Sequence, residues 1–462
     1  MKRATLVLPD WLAAELASVA NEPLETAGVL LAGVARTSAG LRLLAAELHL
    51  IPDEGYDVRD GDRLAIPSLS YVRALARAHA IQLTPIFFHT HPGEIGDPHP
   101  SIWDDRVDEE LIEPFRIRSG SDIYASLVLS PAASWFMFTG RGRDGDDVFT
   151  VSRIVIAGDR MALIRDVDST RPELDDSIFD RNIRAFGSGI QAALSDMRIG
   201  VVGCGGTGSA VAEELARLGV GSMLLVDPDV MADSNVTRVY GSTPADVGRP
   251  KTEVLAAHLA SITPAGNFRV LTGSVLEERV ARALTTCDVV FGCTDDNAGR
   301  LVLTRLAAHY LVPFIDCGVL ISSTASTIDA VHGRVTVQTP GAACLVCRNR
   351  IDLARAAGEQ LPEEERAERR REGYLPELQS PAPAVVTFTT AVAAQAVNEL
   401  LDRFIGFGST PVPTEILLRF HEREIGRNRL DPKPQHLCDP SAGYLAIGDR
   451  DPFLGQLWRA DS

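Results

Sequence analysis

The apolar run Ile199-Gly200-Val201-Val202 gives way to Gly203-Cys204-Gly205-Gly206-Thr207-Gly208-Ser209 and then to Val211, Leu215 and Leu218 at helical spacing. Few folds accept that order. A short apolar run ending in glycine reads as a strand buried on both faces, and such strands belong to parallel sheets covered by helices. Met223-Leu224-Leu225-Val226 reads as the next strand and closes on Asp227, so 199–227 is predicted to be a βαβ unit. Further strand-like runs at 289–291 and 312–315 alternate with helical segments, which predicts a mostly parallel, doubly wound α/β sheet. The glycines allow backbone N–H groups to approach a phosphate at the positive end of a helix, and Asp227 is placed to hold ribose hydroxyls. Gly203, Gly205, Gly206, Gly208 and Asp227 are therefore candidate nucleotide-binding residues.

Alone, this loop fits a dinucleotide dehydrogenase as well as an ATP enzyme. The residues that follow tilt the choice. Asp229, Asn235, Arg238 and Lys251 crowd the region after the second strand, and Cys293-Thr294-Asp295-Asp296-Asn297 ends another, with Arg300 behind it. Hydride transfer does not call for such a set. Adenylation does, because cations must offset the triphosphate and a carboxylate must hold Mg2+. Any one of these charges taken singly is equally a surface ion-pair partner.

The first 160 residues differ in character. Helices are expected at 11–20, at 68–80 and after Ser101, and strands at 28–33, 41–50, 85–90, 123–129, 135–139 and 149–156, an α+β domain of mixed order. Leu69, Val72, Leu75, Ala76 and Ala80 predict the buried face of the second helix. Within this half stand His89-Thr90-His91-Pro92 and Ser101-Ile102-Trp103-Asp104. Residues two apart on a strand share a face, so His89 and His91 can grip one ion. Asp104 can add a third ligand and leave the fourth tetrahedral position to water, the arrangement of a catalytic zinc. A base is then needed, and Glu25 is the candidate. Ser101-x-x-Asp104 is also a helix capping box. The charged stretch 158–196, with Asp166, Asp168, Arg171, Pro172 and Asp175, reads as the domain boundary, and 363–372 as a solvated helix or loop.

Composition narrows the partners. A formal net charge of -17 argues against a broad nucleic-acid or anionic-membrane surface. The charge-free stretch 378–398 contains Pro381, Pro383, Gln379 and Gln395 and reads as a buried helix, not a membrane span. Seven cysteines without dense spacing point to a reducing interior, and Pro9 and Asp10 interrupt the apolar N-terminus too early for a signal peptide. A soluble, cytoplasmic protein is expected.

Glu25, His89, His91, Ser101 and Asp104 resemble, one for one, the motif of the JAB/MPN (JAMM) metalloproteases. The resemblance implies a zinc isopeptidase or peptidase acting at the C-terminus of a ubiquitin-like protein, with Ser101 helping to hold the oxyanion. The gap between the two parts holds Glu94, Asp97 and His99, candidates for shaping the groove or for a further ligand.

The second half resembles the ThiF/MoeB adenylating domain of ubiquitin-activating enzymes, from Phe179-Asp180-Arg181 through the glycine loop, Asp227, Asp229, Asn235, Arg238, Lys251 and Asp295. That resemblance implies that Asp227 binds ribose, Arg238 and Lys251 contact phosphates, and Asp295 coordinates Mg2+, with Asp296 beside it. It also implies that Arg181 reaches the ATP of a neighbouring subunit, hence a homodimer. Relatives hold structural zinc with two Cys-x-x-Cys pairs. Cys344 and Cys347 match the first, while the second is reduced to Cys438, which His436 could complete or which marks a lost site. No cysteine lies between Arg348 and Leu437, where thioester-forming relatives carry one, and Cys317 is the nearest stand-in. Cys204, Cys287 and Cys293 read as small buried sheet residues.

The expectation is a zinc peptidase domain at 1–160, a linker at 161–178 and an adenylyltransferase domain at 179–462. Its partner would be a ubiquitin-like protein ending in glycine, with a conjugating enzyme downstream. The alternatives are activation of a sulfur carrier, or one domain that serves only to bind the modifier.

Overall fold

The computed structural model describes residues 2–61, 63–93, 98–166, 177–324, 327–361, 363–371 and 383–458. They fall into two compact units. The first comprises Met1–Arg171 with His309–Leu311 and Leu445–Arg450, and the second Pro172–Ala308, Val312–Tyr444 and Asp451–Ser462.

The first unit runs β1 (Lys2–Pro9), α1 (Asp10–Ala20), β2 (Ala27–Thr37), β3 (Gly40–Leu50), β4 (Val58–Arg59), β5 (Leu64–Ala65), α2 (Val72–Ile81), β6 (Thr84–Thr90), α3 (Ile102–Ser119), β7 (Ile123–Pro131), β8 (Phe136–Asp144), β9 (Asp147–Ala157) and β10 (Ala162–Arg165). Its mixed sheet has the order β1-β3-β2-β6-β7-β8-β9-β10, and β1 also pairs with β9. Alternation along the strands builds two cores. Leu30, Phe88, Leu127 and Phe138 pack with Leu12 and Leu16 of α1, whereas Val29, Leu31 and Phe87 pack with Leu75 of α2 and Phe115 of α3. Odd-numbered positions of β6 thus face α3, which puts His89 beneath that helix.

Two expectations for this unit change. The α-helical frame of α2 starts at Val72 after a 3-10 turn at Ser68–Tyr71, so its buried face is Tyr71, Ala74, Leu75 and Ala78. Leu69 is 81% exposed, and Ala76 and Ala80 are also exposed. The supposed linker 161–178 begins with β10, which pairs antiparallel with β9 and extends the first sheet past residue 160. Asp168, Arg171, Pro172 and Asp175 lie outside the described residues.

The second unit opens with α4 (Asp180–Asp196), a helix where a turn-rich stretch was expected, broken at Gly187. It continues with β11 (Arg198–Val202), α5 (Gly206–Arg217), β12 (Ser222–Asp227), α6 (Lys251–Ile262), β13 (Asn267–Thr272), α7 (Glu278–Leu284), β14 (Val289–Gly292), α8 (Asn297–Tyr310), β15 (Phe314–Thr324), β16 (Thr327–Gln338), α9 (Leu353–Glu359), α10 (Glu363–Arg371), α11 (Val386–Ile405), β17 (Glu415–Arg419) and β18 (Glu424–Asn428). The sheet order is β13-β12-β11-β14-β15-β16-β17-β18. Strands β13 to β15 in that order are parallel, but β15 through β18 are antiparallel, so only half of the sheet matches the parallel expectation. The chain winds outward from β11 to β13 and then crosses to β14. The C-terminal ends of β11 and β14 therefore flank the topological switch point, where open α/β sheets bind ligands. Among the described residues no helix is long and apolar enough to cross a membrane.

Candidate functional site

In the first unit, register delivers the histidines. Ala27 of β2 pairs with His89 of β6, and the Thr90 N–H donates to Thr26 O at 2.9 Å. Glu25 lies two residues before β2 and His91 one residue past β6, just beyond the last registered pair, Ala27 with His89. Glu25 is buried, and its backbone is anchored on both sides, donating to Asp60 O at 2.8 Å and accepting from Arg59 Nε at 3.0 Å.

Asp104 arrives from the first turn of α3. Its Oδ1 is 3.2 Å from His89 Nε2, its Oδ2 is 3.7 Å from His91 Nε2, and the two Nε2 atoms are 3.1 Å apart. With metal–ligand bonds of about 2.0–2.1 Å, donor atoms on a tetrahedral zinc stand about 3.4 Å apart, so the set fits that ion. Burial works against the charge of Asp104, but His89 and the hydrogen bonds from Ser101 outweigh it and hold the carboxyl well below the usual range. The capping box is present as well: Asp104 N–H donates to Ser101 Oγ at 3.2 Å, and Asp104 Oδ2 accepts from Ser101 N–H. One carboxylate thus starts the helix and completes the triad. His99 is exposed and outside the triad, and Glu94 and Asp97 lie outside the described residues.

In the second unit, the four glycines of the loop act differently. Gly203 has φ +91°, in the left-handed region, and a Cβ there would sit 2.7 Å from Cys293 O. A Cβ on Gly208 would fall 1.7 Å from Gly203 O, so only glycine lets α5 begin this close to the strand end. Among the described residues a Cβ on Gly205 would meet nothing within 4 Å, which leaves room beside the helix N-terminus. Gly206 lies against Thr389 and the Arg238 side chain.

Asp227 is buried, and burial raises its carboxyl despite the opposing charge of Lys251. It ties the loop to β12 by accepting from Cys204 N–H at 2.6 Å and Asp229 N–H at 2.8 Å. Lys251, the first residue of α6, is 2.7 Å from Asp229 Oδ2. Arg238 donates to Ser234 O at 3.0 Å, and Asn235 uses its Oδ1 on Ala232 N–H, also at 3.0 Å. Asp295 is exposed. Asp296 instead accepts from Gly299 N–H at 2.9 Å and the Thr294 hydroxyl at 3.0 Å, so it serves as the cap of α8. Arg181 is exposed on the first turn of α4.

Cys317 fits a thioester poorly: it is 3% exposed and lies within the sheet. The preceding Asp316 is fully buried between Arg300 and Arg334. Cys204 and Cys287 are buried, whereas Cys293 is partly open. Glu359 was not anticipated; it accepts from Asn297 N–H and Ala298 N–H at 2.7 and 2.9 Å, and only the tertiary fold brings it to α8.

Cys344, Cys347, His436 and Cys438 converge, all donor atoms within 4.8 Å of one another. Neighbouring donors stand 3.4 to 3.6 Å apart, close to the roughly 3.8 Å edge of a thiolate tetrahedron with Zn–S bonds near 2.3 Å. The contact with Cys438 holds the Cys344 thiol below the usual thiol range.

The family model described as "ThiF family" matches residues 179–439, more than half of the sequence. The chain belongs to the ThiF family. Ubiquitin-like modifier-activating enzyme 5 of Oryza sativa subsp. japonica is 28% identical over 229 residues, 46% of this chain and 49% of that protein. Molybdopterin-synthase adenylyltransferase of Escherichia coli K12 is 32% identical over 171 residues, 37% of this chain and 65% of that protein. The sulfur carrier protein ThiS adenylyltransferase of the same strain is 34% identical over 154 residues, 32% and 56% respectively. The chain thus spans between about half and two thirds of the length of these relatives. E. coli MccB with AMPCPP and MccA aligns at a TM-score of 0.44 and 16% identity over 56% of this chain and 73% of that one, too loosely to argue from.

Proposed function

We propose that this ThiF-family chain is a bifunctional enzyme acting on the C-terminal tail of a ubiquitin-like protein. The N-terminal unit would hydrolyse a bond next to the terminal glycine, and the second unit would adenylate the exposed carboxylate with ATP. One observation carries the reading. A complete donor triad, His89, His91 and Asp104, stands on the same chain as a ThiF nucleotide loop with its cations. Both chemistries then address one tail at high effective concentration.

His89, His91 and Asp104 would hold the zinc, which when bound acidifies a water and polarises a carbonyl. Glu25 would take a proton and return it to the departing nitrogen. Ser101 would donate its hydroxyl to the developing oxyanion. In the second unit, N–H groups from Gly205 onward would cradle phosphate, Asp227 would hold the ribose, and Lys251 and Arg238 would offset charge as pyrophosphate leaves. Asp295 would hold Mg2+, and Arg181 would reach a neighbouring subunit. Cys344, Cys347, His436 and Cys438 would hold a structural zinc.

Activation of a sulfur carrier is the second reading. The absence of any cysteine between Arg348 and Leu437 favours it, since the acyl-adenylate then has no loop thiol to transfer to. The test is ATP–pyrophosphate exchange dependent on a small glycine-ended partner and abolished in Asp295→Ala. Mass spectrometry of that partner then separates a conjugate from a thiocarboxylate. No partner-dependent exchange by the wild-type chain would overturn the reading.

A further inference from the structure

Asp108 lies one helical turn beyond Asp104, on the same face of α3. Its carboxylate is well satisfied although mostly buried. Tyr124 Oη donates to Oδ1 at 2.6 Å, and Ser126 Oγ and Arg141 Nε donate to Oδ2 at 2.9 and 2.7 Å. Arg141 also pairs with Asp105. The partners form a row across the sheet: Phe87 of β6 is registered to Ser126 of β7, which is registered to Arg141 of β8. Phe87 is two residues before His89, on the same face.

The spacings match. Four residues of helix from Asp104 to Asp108 rise about 6 Å, and two residues of strand from Phe87 to His89 rise about 6.7 Å. Docking Asp108 on the Ser126/Arg141 row therefore sets Asp104 over His89. We infer that Asp108 is a positioning residue that fixes the third ligand of the His89/His91/Asp104 centre through its dock on Tyr124, Ser126 and Arg141. The inference rests on the zinc reading above. A carboxylate in a low-dielectric dock with a cationic partner is expensive to move, which makes α3 a rigid mount rather than a hinge. A capping turn alone would leave the first turn of α3 free to fray, and Asp104 with it.

The test uses the full chain, stripped of metal and titrated with zinc against a competing chelator and with Co2+, in wild type, Asp108→Asn and Tyr124→Phe. His89→Ala identifies which binding step belongs to this centre, and near-ultraviolet circular dichroism with thermal melting checks that the first unit is folded. Asp108→Asn should weaken zinc at the His/Asp centre by about 10–100-fold and alter its Co2+ d–d bands, with the thiolate centre unchanged. Tyr124→Phe should weaken it less. Wild-type affinity and spectrum in folded Asp108→Asn overturn the inference alone. If the first unit of Asp108→Asn does not fold, Tyr124→Phe decides, and unchanged affinity there overturns it. A wild type that binds no more metal than His89→Ala overturns the zinc reading as well.

Discussion

Lys251 Nζ sits 2.7 Å from Asp229 Oδ2 and 3.9 Å from Asp227 Oδ1, so the cation beside the glycine loop is already held by the carboxylates at the end of β12. Asp229 is largely exposed, and ion pairs to exposed carboxylates are worth about 1 kcal/mol or less, so a phosphate can take the lysine over at little cost. Lys251→Met should lower ATP–pyrophosphate exchange by about 10²–10³-fold, the usual consequence of deleting a preorganised charge partner. Asp229→Asn should stay within about tenfold of wild type. Equal losses in both variants would show that Asp229 contacts the nucleotide itself.

Glu25→Gln separates binding from proton transfer at the other site. Glu25 is not among the three donors that converge, so the variant should keep its zinc and still bind a modifier tail. Cleavage should fall by about 10²–10⁴-fold, the range for a lost general base. Metal analysis beside a peptidase assay on a tail-extended modifier checks this. A variant that loses zinc in proportion to activity would make Glu25 a ligand instead.

Local periodicity made half of this molecule legible. His89 and His91 could be placed because strand alternation is strict, and the glycine loop because an apolar run that breaks into glycines before a helix has few alternatives. The α2 frame slipped because the 3-10 turn at Ser68–Tyr71 offsets the helical count by a fraction of a turn, moving Leu69 into solvent. The antiparallel strands β16 to β18 were invisible because their alternation carries no partner information. That Asp296 caps α8 could not be read from sequence, because only the Gly299 N–H bond of the folded chain shows it. The Asp108 dock escapes sequence reasoning, because Tyr124, Ser126 and Arg141 reach it only through sheet register.

Removing metal from the Cys344/Cys347/His436/Cys438 cluster should loosen the second unit. Cys344, Cys347 and Cys438 are buried, and stripping an ion from such a set leaves thiols competing for protons in an apolar setting. Chelator treatment should lower the melting temperature of the wild type but not of Cys438→Ser, which should melt low from the start. Zinc released per chain, followed with a colorimetric indicator, checks the stoichiometry. Unchanged melting on chelation would make the cluster a plain thiol core.

Glu214 gives the chain a pH-dependent weakness. Half-buried on α5, its carboxyl is pushed up to about 7, first by burial and then by the adjacent charge of Glu213. Glu213 is itself paired with Arg217 and His258. Below about pH 4.5 the Glu214 carboxyl is protonated in both folded and unfolded chains and has no effect. As pH rises towards 7 the unfolded chain releases the proton while the folded chain retains it, so stability is lost through that window and levels off above it. Glu214→Gln removes this loss. Its gain over wild type should be near zero at pH 4 and about 1 kcal/mol at pH 8, after allowing for the water that reaches a half-exposed side chain. Urea unfolding of both chains across pH 4 to 8 measures it, and a gain that did not grow with pH would mean that Glu214 titrates alike in the folded and unfolded chains.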